Sequence, residues 1–158
     1  MNNVFCDGGH KSSLNISGWA FCDETEYNEY SEKGAWEGGT NQQAELIAMR
    51  EALKYVDGFG FGYSFTIYSD SAYVVNGLNN KWYVNWRKNG WKNSKKQPVA
   101  NKELWEDILE ILENTYQDVS IAKIKGHSTS KGNNLADELV NLAMDELEEE
   151  LDTHEKRS

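Results

Sequence analysis

The sequence has few cysteines, no long apolar run and no secretory-signal pattern in its first residues. Its two cysteines, Cys6 and Cys22, show no C-x-x-C spacing and have no third ligand near them, which argues against structural zinc and favours reduced, packed thiols. No stretch approaches the roughly 18 apolar residues of a membrane span, and the N-terminus lacks the charged and apolar regions of a secretory signal. We therefore expect a cytoplasmic protein without a membrane partner, in which residues 1–147 form a single domain.

The sequence is also poor in basic residues, with 16 Lys and Arg against 26 Asp and Glu and a net charge of −10. A charge of this sign would ordinarily argue against a polyanionic partner. The distribution reverses that inference, because residues 81–102, the basic segment, contain no acid. Their basic side chains are Lys81, Arg87, Lys88, Lys92, Lys95, Lys96 and Lys102. Acids dominate residues 148–158, which predicts a solvated, disordered tail.

Apolar periodicity predicts the order of strands and helices. Three strand-like runs near the N-terminus, separated by polar turns, predict an antiparallel group. A helix should follow from Thr40, which stands at capping-box spacing from Gln43. Strands then alternate with helices, and an amphipathic helix over residues 135–147 closes the chain. This order predicts an α/β fold with a mixed sheet flanked by helices.

Four acidic residues lie at the ends of predicted elements: Asp7, Glu45, Asp70 and Asp137. Each has a simple local explanation. Asp70, between two serines, is typical of a helix cap, and Asp7 can begin a turn. Glu45 and Asp137 complement the dipoles of the helices that they start. If the first and fourth strands are neighbours, however, all four carboxylates converge at one edge of the sheet, where their repulsion requires a divalent cation such as Mg²⁺ or Mn²⁺.

Several motifs, in their order along the chain, resemble those of type 1 ribonuclease H in its bacterial form with a basic protrusion. They are "FCDGG", "TNQQAELIA", "YSDSAYV", "WYVNWRKNGWK", "KQPV", "KGHS" and "NNLADELVNLA", and they extend over nearly the whole chain. The resemblance implies a ribonuclease H-like fold, a five-stranded mixed sheet in which strands 1–3 are antiparallel and strands 4 and 5 run parallel to strand 1. It also implies an endoribonuclease that hydrolyses the RNA strand of RNA–DNA hybrids and leaves 5′-phosphate and 3′-hydroxyl ends.

The same resemblance assigns roles to individual residues. Two Mg²⁺ ions, for which Mn²⁺ can substitute, would be bridged by Asp7, with Glu45 and Asp70 on one side and Asp137 on the other. His127 would help protons and product to leave. The protein is expected to bind the hybrid as a monomer. Contacts with the hybrid are implied for a larger set of residues: Asn15, Thr40, Asn41, Gln42, Trp82, Asn85, Trp86, Arg87, Lys88, Lys92, Lys95 and Lys96.

Three alternatives stay open. Trp82 and Trp86 can pack a helix against the core while only the lysines around them face solvent. A non-catalytic hybrid-binding module of the same fold would use the basic segment and would be expected to lack a metal ligand. Another polynucleotidyl transferase, of the integrase or resolvase kind, would lack both the basic segment and the "KGHS" loop.

Overall fold

The computed structural model of the protein describes residues 2–25, 28–60, 62–125 and 130–157. Within these ranges three strands come first, and helices and two further strands follow. Their order is β1 (Asn2–Lys11), β2 (Ile16–Thr25), β3 (Asn28–Glu37), α1 (Asn41–Asp57), β4 (Ser64–Ser69), α2 (Ala72–Asn79), α3 (Trp82–Lys88), α4 (Lys102–Asn114), β5 (Asp118–Lys123) and α5 (Lys131–Arg157).

The strands form one five-stranded sheet in the order β3-β2-β1-β4-β5. The first three strands pair antiparallel, and β4 pairs parallel with both β1 and β5. The predicted fold class is therefore confirmed. In the parallel register of β1 and β4, Phe5 lies beside Tyr68. Asp7 and Asp70 each follow two residues later, so they emerge at the same edge of the sheet.

Successive residues of a strand point to opposite faces, and β1 has a core on each side. Cys6 faces the larger core, which lies between the sheet and α1, α2 and α4 and contains the fully buried Trp105. Phe5 faces α5 and packs with Cys22 and Ala136. Both cysteines are free and buried, as predicted. The sheet is therefore held between two helical layers.

The last helix is longer than the sequence predicted. The expected disordered tail from residue 148 is wrong, because α5 continues to Arg157. Leu147 and Leu151 carry the apolar stripe of the helix onward to the cluster around Ile16 of β2. The acidic composition of this segment concealed that stripe. Despite the length of α5, no helix in the described ranges is both long and apolar enough to cross a membrane.

Leu151→Ala is expected to lower the free energy of unfolding by about 1 kcal/mol, because a half-buried leucine loses part of its apolar contact. Leu142→Ala is the matched control, since this leucine of the same helix is 46% exposed and should change stability by less than about 0.5 kcal/mol. Urea unfolding followed by circular dichroism measures both. Equal losses would contradict the packing of the end of α5 on the sheet.

Candidate active site

Asp7 and Glu45 meet because β1 passes very close to the first turns of α1. Gly8 lies at the contact, where a Cβ atom would be 2.3 Å from the carbonyl carbon of Ala44 and 2.4 Å from the backbone nitrogen of Glu45. Any side chain there would push α1 away. The Gly8 N–H also donates a hydrogen bond to Oε1 of Glu45. Gly8 thus fixes the Glu45 carboxylate beside Asp7, a role that the sequence analysis did not assign because it depends on how closely α1 approaches β1.

Asp70 follows β4 directly. It does not cap the next helix, because its neighbour Ser71 makes that cap. Ser71 is the N-cap of α2, and its side chain accepts a hydrogen bond from the Val74 N–H at 3.2 Å. The hydroxyl of Ser69 accepts a bond from the Ser71 N–H at 3.1 Å. The two serines therefore build the turn and leave the half-buried Asp70 carboxylate to the site.

The structure brings three of the four predicted acids together. One carboxylate oxygen from each of Asp7, Glu45 and Asp70 lies within 4.8 Å of the other two. Asp7 is 6% exposed and Glu45 is 5% exposed. Burial, reinforced by the charges of Asp70 and Asp137, raises the pKa of Asp7 to about 7. Burial, with the charges of Asp7 and Asp70, raises the pKa of Glu45 well above its usual range. Asp137 lies outside the 4.8 Å group but close enough for its charge to act on Asp7.

These residues fit a divalent cation. Carboxylate oxygens are the hard ligands that Mg²⁺ and Mn²⁺ prefer. Several negative charges lie close together in a poorly hydrated place, and a bound cation would remove their repulsion. Within the described ranges, this is the only group of three or more His, Cys, Asp or Glu side chains with such spacing. His127 lies outside the described residues, so its role stays a prediction.

Known proteins resemble this chain over most of its length. Residues 1–145 match the family model of RNase H. A Ribonuclease H of Syntrophomonas wolfei is 38% identical over 146 residues, which span 91% of this chain and 96% of that one. A Ribonuclease H of Clostridium botulinum is 46% identical over 123 residues, which span 77% and 79% of the two chains. The chain belongs to the ribonuclease H family.

Solved structures share the fold of this ribonuclease H. A foamy viral protease-reverse transcriptase in complex with dsDNA has a TM-score of 0.77 at 28% identity, over 90% of this chain and 93% of that one. LC11-RNase H1 in complex with RNA/DNA hybrid has a TM-score of 0.72 at 22% identity, over 93% and 99% of the two chains. The second likeness concerns the fold alone.

The predicted nucleic-acid contacts of this ribonuclease H lie on two surfaces. The first is the start of α1, where Thr40 is the N-cap and Asn41 and Gln42 are exposed in the first turn. The turn between β1 and β2 lies next to it, because the carbonyl oxygen of Asn15 accepts a hydrogen bond from the Gly38 N–H at 2.7 Å. Four of the predicted contacts therefore share one surface.

The second surface is the basic segment. Trp86 is half-buried and packs against Trp91 and Trp105, with ring centroids 5.8 and 5.3 Å apart. The packing alternative thus applies to Trp86, whereas Trp82 is 36% exposed at the edge of the same cluster. Amide and lysine side chains join the two tryptophans around an open cleft, lined by Trp82, Asn85, Trp86, Lys88, Asn89, Lys92, Asn93 and Ser94. Lys95 and Lys96 are exposed beyond it.

Arg87, predicted to contact nucleic acid, has a partner within the protein. Its guanidinium donates two hydrogen bonds to the Glu113 carboxylate of α4, at 2.6 and 3.1 Å. It also lies over the ring of Tyr83, 5.3 Å from the centroid. The hydrogen bonds raise the pKa of Arg87 and lower that of Glu113. Arg87 therefore connects α3 to α4, and Glu113 offsets its charge.

Replacing Lys92, Lys95 and Lys96 by Gln is expected to reduce the slope of log affinity against log salt by about 2, because each phosphate contact contributes roughly 0.7 to 0.9. Arg87→Gln should change that slope by less than about 0.5, since Glu113 already offsets the charge. Fluorescence anisotropy of a labelled RNA–DNA hybrid, titrated in EDTA at several salt concentrations, measures both slopes. If the slope changed more for Arg87→Gln than for the lysine variant, the assignment of phosphate contacts to the lysines and not to Arg87 would be contradicted.

Proposed function

We propose that this ribonuclease H hydrolyses the RNA strand of RNA–DNA hybrids and leaves 5′-phosphate and 3′-hydroxyl ends. The carboxylate cluster carries the proposal. Three acids from three separate elements lie within 4.8 Å of one another, and burial and mutual charge raise the pKa of Asp7 and of Glu45. Such an arrangement opposes folding unless a cation neutralises it. Similar proteins named Ribonuclease H support the same activity.

The four acids Asp7, Glu45, Asp70 and Asp137 would hold two Mg²⁺ ions, for which Mn²⁺ can substitute. When bound, the pair would activate a water as the nucleophile and stabilise the leaving 3′ oxygen. The contribution of the chain itself is to fix the carboxylates in advance. The Gly8 N–H holds Glu45, and the two serines of the β4–α2 turn hold the backbone around Asp70.

The remaining predicted residues would position the hybrid. Lysines of the basic segment attract the phosphates, and the exposed face of Trp82 offers a stacking surface. Asn15, Asn41 and Gln42 would read the minor groove, where 2′-hydroxyls distinguish RNA from DNA. Thr40 and Asn85 would hold a phosphate of the DNA strand. His127 would carry protons. We also propose that the protein acts as a cytoplasmic monomer, with residues 1–147 as its domain and the end of α5 as an extension of it.

Cleavage of three duplexes tests the proposal: an RNA–DNA hybrid, an RNA duplex and a DNA duplex, each with and without Mg²⁺. We expect the RNA strand of the hybrid alone to be cut, and only with metal. Asp70→Asn should reduce the rate by roughly 1000-fold or more, because it removes a ligand charge from the centre. Asp57→Asn is the matched control, since Asp57 is exposed at the far end of α1 and should leave the rate unchanged.

Other outcomes would favour the other functions. Hybrid binding without cleavage, in either Mg²⁺ or Mn²⁺, would favour the non-catalytic binding module. Cleavage of the DNA duplex or of branched DNA would favour a transferase of the integrase or resolvase kind. Equal loss of activity in Asp57→Asn and Asp70→Asn would point to general destabilisation instead of a metal centre.

A further inference from the structure

His10 has a hydrogen-bond network that the proposed metal chemistry does not use. It lies on β1 directly opposite Ser17 of β2. Nδ1 of His10 is 2.8 Å from Oγ of Ser17, which in turn donates a hydrogen bond to the carbonyl oxygen of Gly38 at 2.6 Å. Ser17 is fully buried and His10 is half-buried. One edge of the imidazole is therefore anchored inside the protein.

This network determines the tautomer of His10. A serine hydroxyl has a single proton, and Ser17 gives it to the Gly38 carbonyl, which can only accept. Oγ of Ser17 must then accept from His10, so Nδ1 carries a hydrogen. In the neutral ring Nε2 is left with a lone pair and acts as an acceptor. No group of the described residues bonds Nε2.

The position of His10 places this acceptor among predicted nucleic-acid contacts. Alternate residues of a strand share a face, so His10 is on the same side as Gly8, which contacts α1. The Gly38 carbonyl of the network lies two residues before Thr40, and the Gly38 N–H bonds the carbonyl of Asn15. His10 thus lies between the turn that carries Asn15 and the start of α1.

We propose that Nε2 of His10 accepts a hydrogen bond from a ribose 2′-hydroxyl of the RNA strand, and that this contact helps the enzyme to discriminate RNA from DNA. The inference rests on the proposed hybrid substrate. A 2′-hydroxyl is a donor that deoxyribose lacks. A phosphate, in contrast, would need a donor at this nitrogen, which the neutral ring does not supply. Because Ser17 already orients the ring, little side-chain freedom is lost when the contact forms.

Two amide variants separate the contact with RNA from the contact with Ser17. His10→Asn places an amide N–H near the Nδ1 position and can keep the Ser17 bond, but offers no acceptor at the Nε2 position. His10→Gln reaches the Nε2 position with its amide and gives up the Ser17 bond. Each variant is assayed on a series of hybrids in which one ribonucleotide at a time is replaced by its deoxyribonucleotide.

For the wild type we expect the deoxy substitution at the ribose that contacts His10 to lower kcat/KM by about fivefold, the effect of one neutral hydrogen bond. With His10→Asn the penalty at that ribose should disappear, because the contact is already absent, and any penalty at other riboses should be unchanged. With His10→Gln part of the penalty should remain. On the unmodified hybrid, His10→Asn should be about fivefold slower than the wild type.

An unchanged deoxy profile in His10→Asn at every position would overturn the inference. So would loss of the penalty in His10→Gln but not in His10→Asn, because the role of His10 would then be confined to Ser17. An altered salt dependence with an unchanged profile would indicate a phosphate contact and would also overturn it. In each case the wild type still cleaves the unmodified hybrid. Failure of the proposed function is different, because the wild type would then cleave no hybrid at all.

Discussion

Replacing Asp7 by Asn is expected to abolish cleavage and, in the same protein, to raise the melting temperature measured without metal. The substitution removes one of the four acids that would hold the metal ions, so cleavage should fall by roughly 1000-fold or more. It also removes a buried charge from a cluster of acids. Burial and the neighbouring charges raise the pKa of Asp7 from 3.8 to about 7. Without metal, the ionised Asp7 therefore destabilises the folded state.

The direction of the pH dependence follows from that shift. Between about pH 4 and pH 7 the folded protein keeps a proton on Asp7 that the unfolded chain releases, so the free energy of unfolding falls as the pH rises. Above pH 7 the full penalty is present. Asp7→Asn should therefore gain about 2 to 4 kcal/mol at pH 8, or roughly 5 to 10 °C in melting temperature, and little at pH 4.

Differential scanning calorimetry in EDTA, at pH 4 and pH 8, measures this effect. Adding Mg²⁺ at pH 8 should raise the melting temperature of the wild type and leave that of Asp7→Asn nearly unchanged. Asp57→Asn serves again as the control, because its carboxylate is exposed and remote from the cluster. An Asp7→Asn protein that melts at or below the wild-type temperature in EDTA at pH 8 would contradict the account of the cluster.

Gly8→Ala is expected to lower cleavage by at least about 100-fold and stability by roughly 3 kcal/mol. The new Cβ would lie 2.3 Å from backbone atoms of α1, which cannot rotate out of the way as a side chain could. Helix α1 must therefore move away from β1 and take Glu45 with it. A displacement of about 1 Å in a catalytic group is sufficient for a loss of this size.

Two further glycines provide controls for the Gly8 variant. Gly60→Ala places its Cβ in open space and should behave as the wild type. Gly9→Ala meets a methyl group of Val140 at 3.2 Å, a flexible side chain, so its effect should be intermediate. Cleavage rates and urea unfolding together measure the series. A Gly8→Ala protein with normal activity would contradict the role of close approach in holding Glu45.

The antiparallel group of the first three strands and the place of each acid at the end of an element were predictable from patterns along the sequence. That β4 lies beside β1, so that Asp7, Glu45 and Asp70 converge, was implied only by the resemblance to type 1 ribonuclease H. The separate roles of Asp70 and its neighbouring serines were not predictable, since Ser69, Asp70 and Ser71 could each cap the helix. Only the geometry shows that Ser71 makes the cap.

The features that the sequence analysis missed depend on contacts between distant segments. The pairing of Arg87 with Glu113 joins residues from two helices, and the Gly8 contact depends on how closely a strand approaches a helix. The helical end of α5 was hidden by its acids, because two leucines among many charges give a weak apolar signal. The network of His10 likewise requires three segments to meet.

The packing of Trp86 on Trp105 has a consequence for the thermodynamics of binding. A mobile arm would lose conformational entropy each time it closed on a hybrid, and that loss would weaken every encounter. In this protein the basic segment is ordered during folding, because its aromatic rings pack against the larger core. The basic segment is therefore preorganised for binding. The favourable free energy of counterion release from the phosphates then contributes to affinity and is not offset by the cost of ordering the protein.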